Sequence, residues 1–483
     1  MSSELTKKSI DSFAWKTAQS ICSLGITFVI QLVLAWMLLP EDFGLIAIVN
    51  VFMTLANTVI ETSFSSAIIQ RESVSRKLLS SVFYVNLILS AALYLVLFLI
   101  APVLSGFYGE QLLTPILRIQ GLRVIVSAMY SVQQALMNRK MRFKPLFFCY
   151  LIGSVFQAVT GLAMAYCQMG VWSLVASTCV GSAVTGLSMM IVEPWKPDSY
   201  FSFGLVKGAL VFSSKILVVR VVKKIYYNIR VLVIGGVYGA EVLGYFNKGF
   251  QFPSTAMTVV DGSLTAVAFT HLSRLQSDSE VFLASLRQYV RCAMFISVPV
   301  MMGMALIAKP LVLLLLTERW AESVPFLQII CLSQLFVPLS IKTTAFESLG
   351  QSGLSMKLNL LGILISIVLL LVAIPFSPLV MTFSGVVSNL LLQIFVTALT
   401  AKHLQYSVWD QLKDALCGAL PTLIMAGVIL LLNLPDYEQH YFLEVAIKVA
   451  SGMAAFVLTS VITKNKVFYS VLDIAKTKFR RNG

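Results

Sequence analysis

Apolar residues run along this chain in blocks of twenty or more, separated by brief polar interruptions. As a helix, a block of that length crosses a hydrocarbon core of about 30 Å. Reading the blocks against the interruptions predicts helices over 12–39, 43–69, 77–104, 112–137, 145–167, 172–192, 208–235, 241–269, 282–308, 323–347, 355–375, 378–401, 414–433 and 442–462. The connections are short, and none is long enough to fold as a separate soluble domain. The first block, Ser20 to Leu39, is too long for a signal-peptide core and ends in Leu-Pro-Glu-Asp rather than a cleavage site. It reads as the first crossing.

Charge then sorts the loops into two sets. Lys7 and Lys8, Arg71, Arg76 and Lys77, Arg139, Lys140, Arg142 and Lys144, Lys196 and Lys207, Arg274, Lys357, Lys402 and Lys413, and the tail from Lys464 to Arg481 fall on one side. The alternate loops carry Glu41, Asp42, Glu110, Glu318, Glu322, Asp436 and Glu438, with Lys309 and Arg319 against them. The positive-inside rule makes the first set cytoplasmic and places both termini inside. Both termini inside requires an even number of crossings, and fourteen satisfies it.

Composition agrees: 58% of residues are hydrophobic and 12% are charged, too few polar residues to coat a soluble fold of this length. The net charge of +14 reports topology and contact with anionic headgroups, not nucleic-acid binding, which needs a basic soluble face. The seven cysteines stand singly in apolar segments, so neither a disulfide framework nor a metal site is expected.

Laid on itself with an offset of 200, the chain repeats. Glu41 meets Glu241, Gly44 meets Gly244, Phe52 meets Phe252, Ala56 meets Ala256, Thr58 meets Thr258, Val59 meets Val259 and Ser63 meets Ser263. Six helices separate the copies, so both run the same way across the membrane. A parallel repeat predicts two six-helix lobes with substrate between them. The lobes are expected over 1–199 and 200–402, joined by Glu193-Pro-Trp-Lys-Pro-Asp198, with two extra helices and a basic tail in 403–483.

The seventh predicted helix is unusual, because it carries Lys215, Arg220, Lys223, Lys224 and Arg230. Each central cation costs about 2.5–3.5 kcal/mol on the insertion scale, whereas a Leu, Ile or Val returns about 0.3–0.6. These cations are therefore expected to face a water-filled cavity. Lys16, Arg123, Arg291 and Lys342 are further intramembrane candidates for that cationic cavity. Glu61 and its repeat mate Asp261 are candidates for ion coupling or for a cytoplasmic gate. No nucleophile elbow, P-loop or zinc-protease motif occurs, so neither an enzyme nor direct ATP drive is expected. Gly235-Gly-Val-Tyr-Gly239 is expected to form an external turn.

Several motifs resemble the polysaccharide transporter family of the MOP superfamily. They are Ser12-Phe-Ala-Trp-Lys16, Leu38-Leu-Pro-Glu-Asp-Phe-Gly-Leu45, Ala67-Ile-Ile-Gln-Arg71, the stretch Ile234 to Lys248, and Glu318 to Gln328. The sequence departs from the family in two places: Glu61 stands where relatives often carry Asp, and Val222 to Tyr227 is more basic than usual. The resemblance implies an all-α polytopic membrane protein with two pseudo-twofold lobes in a V and two extra C-terminal helices. It further implies a flippase for undecaprenyl-diphosphate-linked oligosaccharide in the bacterial inner membrane, driven by alternating access. No cofactor is implied beyond proton or sodium coupling. The implied partners are membrane lipids, a polysaccharide polymerase and a chain-length regulator.

Three other readings compete. A multidrug exporter of the MATE type carries mostly cationic drugs, which a cationic face disfavours. A peptidoglycan-precursor flippase shares the superfamily and the anionic substrate. A membrane-embedded polymerase or ligase would need a large external loop with catalytic residues, and no such loop is present.

Overall fold

The computed structural model describes residues 2–70, 75–432, 441–470 and 472; the side chains of residues 2–14, 16–18, 20, 21, 61–70, 205–216, 219, 263 and 266 lie outside that description. Sixteen α-helices are formed in the described residues. The first six are α1 (Ser2–Met37), α2 (Pro40–Gln70), α3 (Arg76–Tyr108), α4 (Leu113–Arg139), α5 (Phe143–Tyr166) and α6 (Val171–Val192). They are followed by the long α7 (Phe203–Leu272), then α8 (Ser279–Leu306), α9 (Ala308–Leu315), α10 (Ser323–Gln334) and α11 (Ile341–Ser348). The last five are α12 (Ser352–Ala373), α13 (Pro378–Leu404), α14 (Val408–Ala415), α15 (Ala419–Leu431) and α16 (Tyr441–Ile462). Among the described residues, eleven helical stretches are long and apolar enough to cross a membrane, and one of these runs from Arg220 through the break in α7 to Leu272. The chain is an all-α polytopic membrane protein.

Local chemistry sets several helix ends. Ser75 caps α3 by accepting from the Leu78 N–H at 3.2 Å, and Gly109, at φ 69°, ends it in the left-handed region. Asp278 caps α8 through the N–H groups of Glu280 and Val281. Ser377 caps α13, whose first residue is Pro378.

The structure corrects four boundaries. The turn expected over Gly235–Gly239 shrinks to Gly239 alone: its φ of 86° is open to glycine, while Gly235 and Gly236 stay helical. The tenth predicted helix, 323–347, is broken into α10, a 3-10 turn at Val337–Ser340 and α11, because Pro338 removes a backbone donor. The thirteenth, expected from 414, begins with the separate α14 and a turn over 416–418 before α15. The short helix α9 and the 3-10 turn Glu318–Trp320 fill a connection expected to be irregular.

The chain packs as two units, Met1–Gly244 and Tyr245–Gly483, so the first half of α7 belongs with α1–α6. Within unit 1, α5 packs on α6 and α1, and α4 is enclosed by α2, α3 and α6. That enclosure explains why α4 tolerates polar residues that a lipid-facing helix would not. Within unit 2, α8 packs on α10, α11, α14 and α15, α12 pairs with α13, and α15 pairs with α16.

Alternate loops of unit 1 gather at opposite ends, as the loop charges predict. At one end the linker after α6 is pinned to α3, with the Asp198 N–H donating to Ser80 Oγ (2.8 Å) and the Ser202 N–H to Ser81 Oγ (3.1 Å). There the buried Glu193 accepts from Lys140 and, at 2.7 Å, from Arg142. At the other end Gly170 lies beside Asp42, and Tyr108 Oη donates to the Leu232 carbonyl at 3.3 Å.

The two copies of the repeat meet at this second end. A Cβ on Gly44 would lie 1.7 Å from the Ala240 carbonyl oxygen, and one on Gly244 would lie 2.0 Å from that of Pro40. Each helix thus presses its first-turn glycine onto the opening residue of the other, a reciprocal contact of the kind a twofold relation produces. Gly44→Ala and Gly244→Ala are expected to destabilise the chain by about 1–3 kcal/mol each through overpacking. Gly106→Ala, which meets nothing within 4 Å, should be neutral. Thermal unfolding in detergent checks this, and equal melting temperatures for all three would contradict the contact.

Candidate functional site

The cations of α7 come first. Arg220, Lys223 and Lys224 are all exposed, as are Val218, Val222, Ile225 and Tyr227 around them. At 100° per residue the three cations share an arc of about 100°. Lys223 and Lys224 stand sixteen and fifteen residues before Gly239, about 23 Å along the axis, so with Gly239 at one face of a core of about 30 Å they lie about 7 Å from the other face. The Lys215 side chain lies outside the described residues, as do those of Lys16 and Glu61.

Arg123 sits elsewhere in unit 1, in an enclosed polar cavity of about 240 Å³ between α2, α4, α5 and α6. One face of α4 builds most of it: Arg123, Ser127, Tyr130, Ser131 and Gln134 recur at helical spacing. Asn57, Tyr150 and Ser182 come from the facing helices. Arg123 Nη1 donates to Gln120 Oε1 at 2.7 Å, and Gln120 Nε2 donates to Thr178 Oγ1 at 2.9 Å, which ties the guanidinium to α6. Gln134 Nε2 donates to Tyr150 Oη at 2.7 Å.

Unit 2 treats its cations differently. Arg291 does not stand open to a cavity: its Nε donates to Asp414 Oδ1 at 2.6 Å. Arg287 Nε donates to the other oxygen at 2.8 Å, and Tyr406 Oη donates to it at 2.6 Å. Asp414 is 2% exposed, so this is a saturated ion cluster joining α8 to α14. Burial and the hydrogen bond to Asp414 push the Tyr406 phenol far above its ordinary range, so it remains a donor. Lys342 is likewise enclosed, 3% exposed, and donates to Thr397 Oγ1 (2.9 Å) and Gln411 Oε1 (3.1 Å). Both residues thus secure the packing of α8, α11, α13 and α14. Asp261 accepts from Thr265 Oγ1 at 3.3 Å and Ser340 Oγ at 3.5 Å, linking α7 to the turn before α11.

An apolar groove of about 510 Å³ runs between α8, α15 and α16, lined by residues such as Phe295, Pro299, Met304, Met425, Met453 and Phe456. Beside it Lys448 is buried and paired with Glu444. No group of three or more His, Cys, Asp or Glu placed to hold a metal occurs among the described residues.

Sequence reasoning weighed intramembrane charges and passed over neutral polar residues. It therefore missed Gln120, Ser127, Ser131 and Gln134, although their helical spacing was visible. It also missed Asp414, the first residue of the helix predicted over 414–433.

Against known proteins, the family model described as "Polysaccharide biosynthesis protein" matches residues 33–325. An uncharacterized membrane protein in the cps region of Klebsiella pneumoniae is 23% identical over 476 residues, 96% of each chain. The succinoglycan biosynthesis transport protein ExoT of Rhizobium meliloti (strain 1021) is 24% identical over 340 residues, 70% of this chain and 69% of its own. Among solved structures, the lipid II flippase MurJ in an inward closed conformation superposes with a TM-score of 0.75 at 17% identity, covering 95% of this chain and 100% of that one. That likeness extends the fold over nearly the whole chain.

If Arg291 is a packing residue, Arg291→Gln and Asp414→Asn should each lower the free energy of unfolding by about 2 kcal/mol. The double variant should be little worse than the more damaging single one. Detergent denaturation of the four proteins measures this. Unchanged stability in Arg291→Gln would return the residue to the transport path.

Proposed function

Because the chain belongs to the polysaccharide biosynthesis protein family, we propose that it flips an undecaprenyl-diphosphate-linked oligosaccharide across the bacterial cytoplasmic membrane for surface-polysaccharide synthesis. The substrate moves from the cytoplasmic to the periplasmic face by alternating access, and both termini stay inside. One observation carries this reading: a membrane-crossing helix presents Arg220, Lys223 and Lys224 exposed, at the start of its apolar span. Facing lipid at the bilayer centre a cation would cost about 2.5–3.5 kcal/mol, and less toward an interface, so these side chains favour a polar or anionic neighbour. A diphosphate is such a neighbour, because guanidinium and ammonium groups give it charge-assisted hydrogen bonds in place of water.

The apolar groove of unit 2 supplies what the rest of such a molecule requires. Its lining of Phe, Met, Ile and Val side chains accepts a long hydrocarbon chain. The glycan then needs no covalent chemistry from the protein, and the reading assigns no catalytic residue. Glu61 and Asp261, paired by the repeat, are the carboxylates we assign to proton or sodium coupling or to the gate. A polysaccharide polymerase and its chain-length regulator would receive the product. A multidrug exporter fits less well, since exposed cations repel cationic drugs.

Arg220→Ala/Lys223→Ala should still insert, since losing intramembrane charge favours insertion. In a strain lacking the native copy, its surface polysaccharide per unit of inserted protein should fall about tenfold or more, the loss of one charge-assisted contact. Lys223→Arg should lie closest to wild type and Lys223→Glu should be worst. Wild-type export by the double alanine variant would make these cations structural.

A further inference from the structure

The polar cavity around Arg123 is lined by α2, α4, α5 and α6 and by no described residue of α7, yet it is built as a binding site. Its guanidinium is aimed by Gln120, itself held by Thr178, so the cation is fixed in place before anything binds. Arg123 lines the cavity, and its Nε is buried with no hydrogen-bond partner among the described residues, so the guanidinium is only partly satisfied by the protein. Among the described lining residues there is no carboxylate to complete it.

The remaining wall is neutral and hydroxyl-rich. Ser127 gives its proton to the Val124 carbonyl, which leaves its oxygen as an acceptor turned to other donors. Asn57, Gln134 and Ser182 add amide and hydroxyl groups around it. One cation among hydroxyls and amides matches a ring bearing many hydroxyls and one negative charge. At about 240 Å³ the cavity falls below the roughly 300–1,000 Å³ of drug-sized sites, so it takes one sugar ring, not a whole oligosaccharide. A diphosphate would seek more than the single cation found here.

We propose that this cavity is the subsite for one carboxylate-bearing sugar of the transported glycan, with Arg123 as the residue that selects acidic over neutral repeat units. This rests on the flippase reading and adds the substrate class to it. Arg123 acts as a specificity determinant: the carboxylate completes its guanidinium fork, and the sugar hydroxyls donate to Ser127 and its neighbours. A glycan without the acid leaves the guanidinium short of an acceptor, and that difference is the discrimination.

The test uses the full chain in proteoliposomes and two probe lipids. Both are polyprenyl diphosphates; one carries a neutral disaccharide and the other a disaccharide ending in glucuronate. Wild type should move the acidic lipid faster, and Arg123→Gln should lower the acidic-to-neutral rate ratio about tenfold or more, with Arg123→Lys restoring part of it. Free glucuronate, but not glucose, should raise the melting temperature of wild type and not of Arg123→Gln. Should Arg123→Gln fail to fold, Arg123→Lys and Ser127→Ala replace it, each lowering the ratio severalfold. An unchanged ratio in the variants, whether both rates fall or neither does, overturns the proposal and leaves Arg123 as a packing or linker-binding residue. A wild-type chain that moves neither lipid removes the flippase reading instead, and the Arg123-dependent glucuronate shift then decides the subsite on its own.

Discussion

The contact on which the remaining architecture of unit 1 depends is the backbone-to-backbone crossing of the first turn of α2 with residues 240–244 of α7. Gly44 and Gly244 occupy equivalent places in the repeat, and each admits the other helix's opening carbonyl where any side chain would collide. Without lipid-phase hydrophobic drive between helices, such close approach is the principal source of specific packing in a membrane. The turn at Gly239 delivers the chain to that crossing, and the end of α3 is tied to α7 shortly before it through Tyr108 and the Leu232 carbonyl.

Around this frame the chain handles buried charge in three ways. It pairs some cations with acids, as Arg287 and Arg291 are with Asp414. It surrounds others with neutral acceptors, as with Lys342 beside Thr397 and Gln411, or Lys248 beside Gln251 and 5.7 Å from the Trp320 ring. The third way leaves Lys223 and Lys224 exposed along α7 and places Arg123 against a cavity. The first two stabilise the fold, since a satisfied cation has little left to offer a ligand. We assign transport to the third.

Much of this was legible in the residues. Apolar block length marked an all-α membrane fold, and the offset of 200 paired two glycines that each press on the opening residue of the other helix. What stayed hidden depended on tertiary partners. Arg291 and Lys342 look alike as single intramembrane cations, and only the fold brings Asp414 to one and Gln411 to the other. The α4 stripe was visible at helical spacing, but neutral Ser and Gln carry no insertion penalty large enough to single them out. The break at Pro338 lay inside an unbroken apolar run, where block length outweighed the proline.

The central claim is that the exposed cations of this chain serve a lipid-linked diphosphate. Native mass spectrometry of the purified protein against polyprenol, polyprenyl phosphate and polyprenyl diphosphate of one chain length tests it directly. The account predicts retention rising from alcohol to monophosphate to diphosphate, weakening with added salt as screening requires. Equal binding of all three lipids would show that the chain recognises only the hydrocarbon, and would contradict the account.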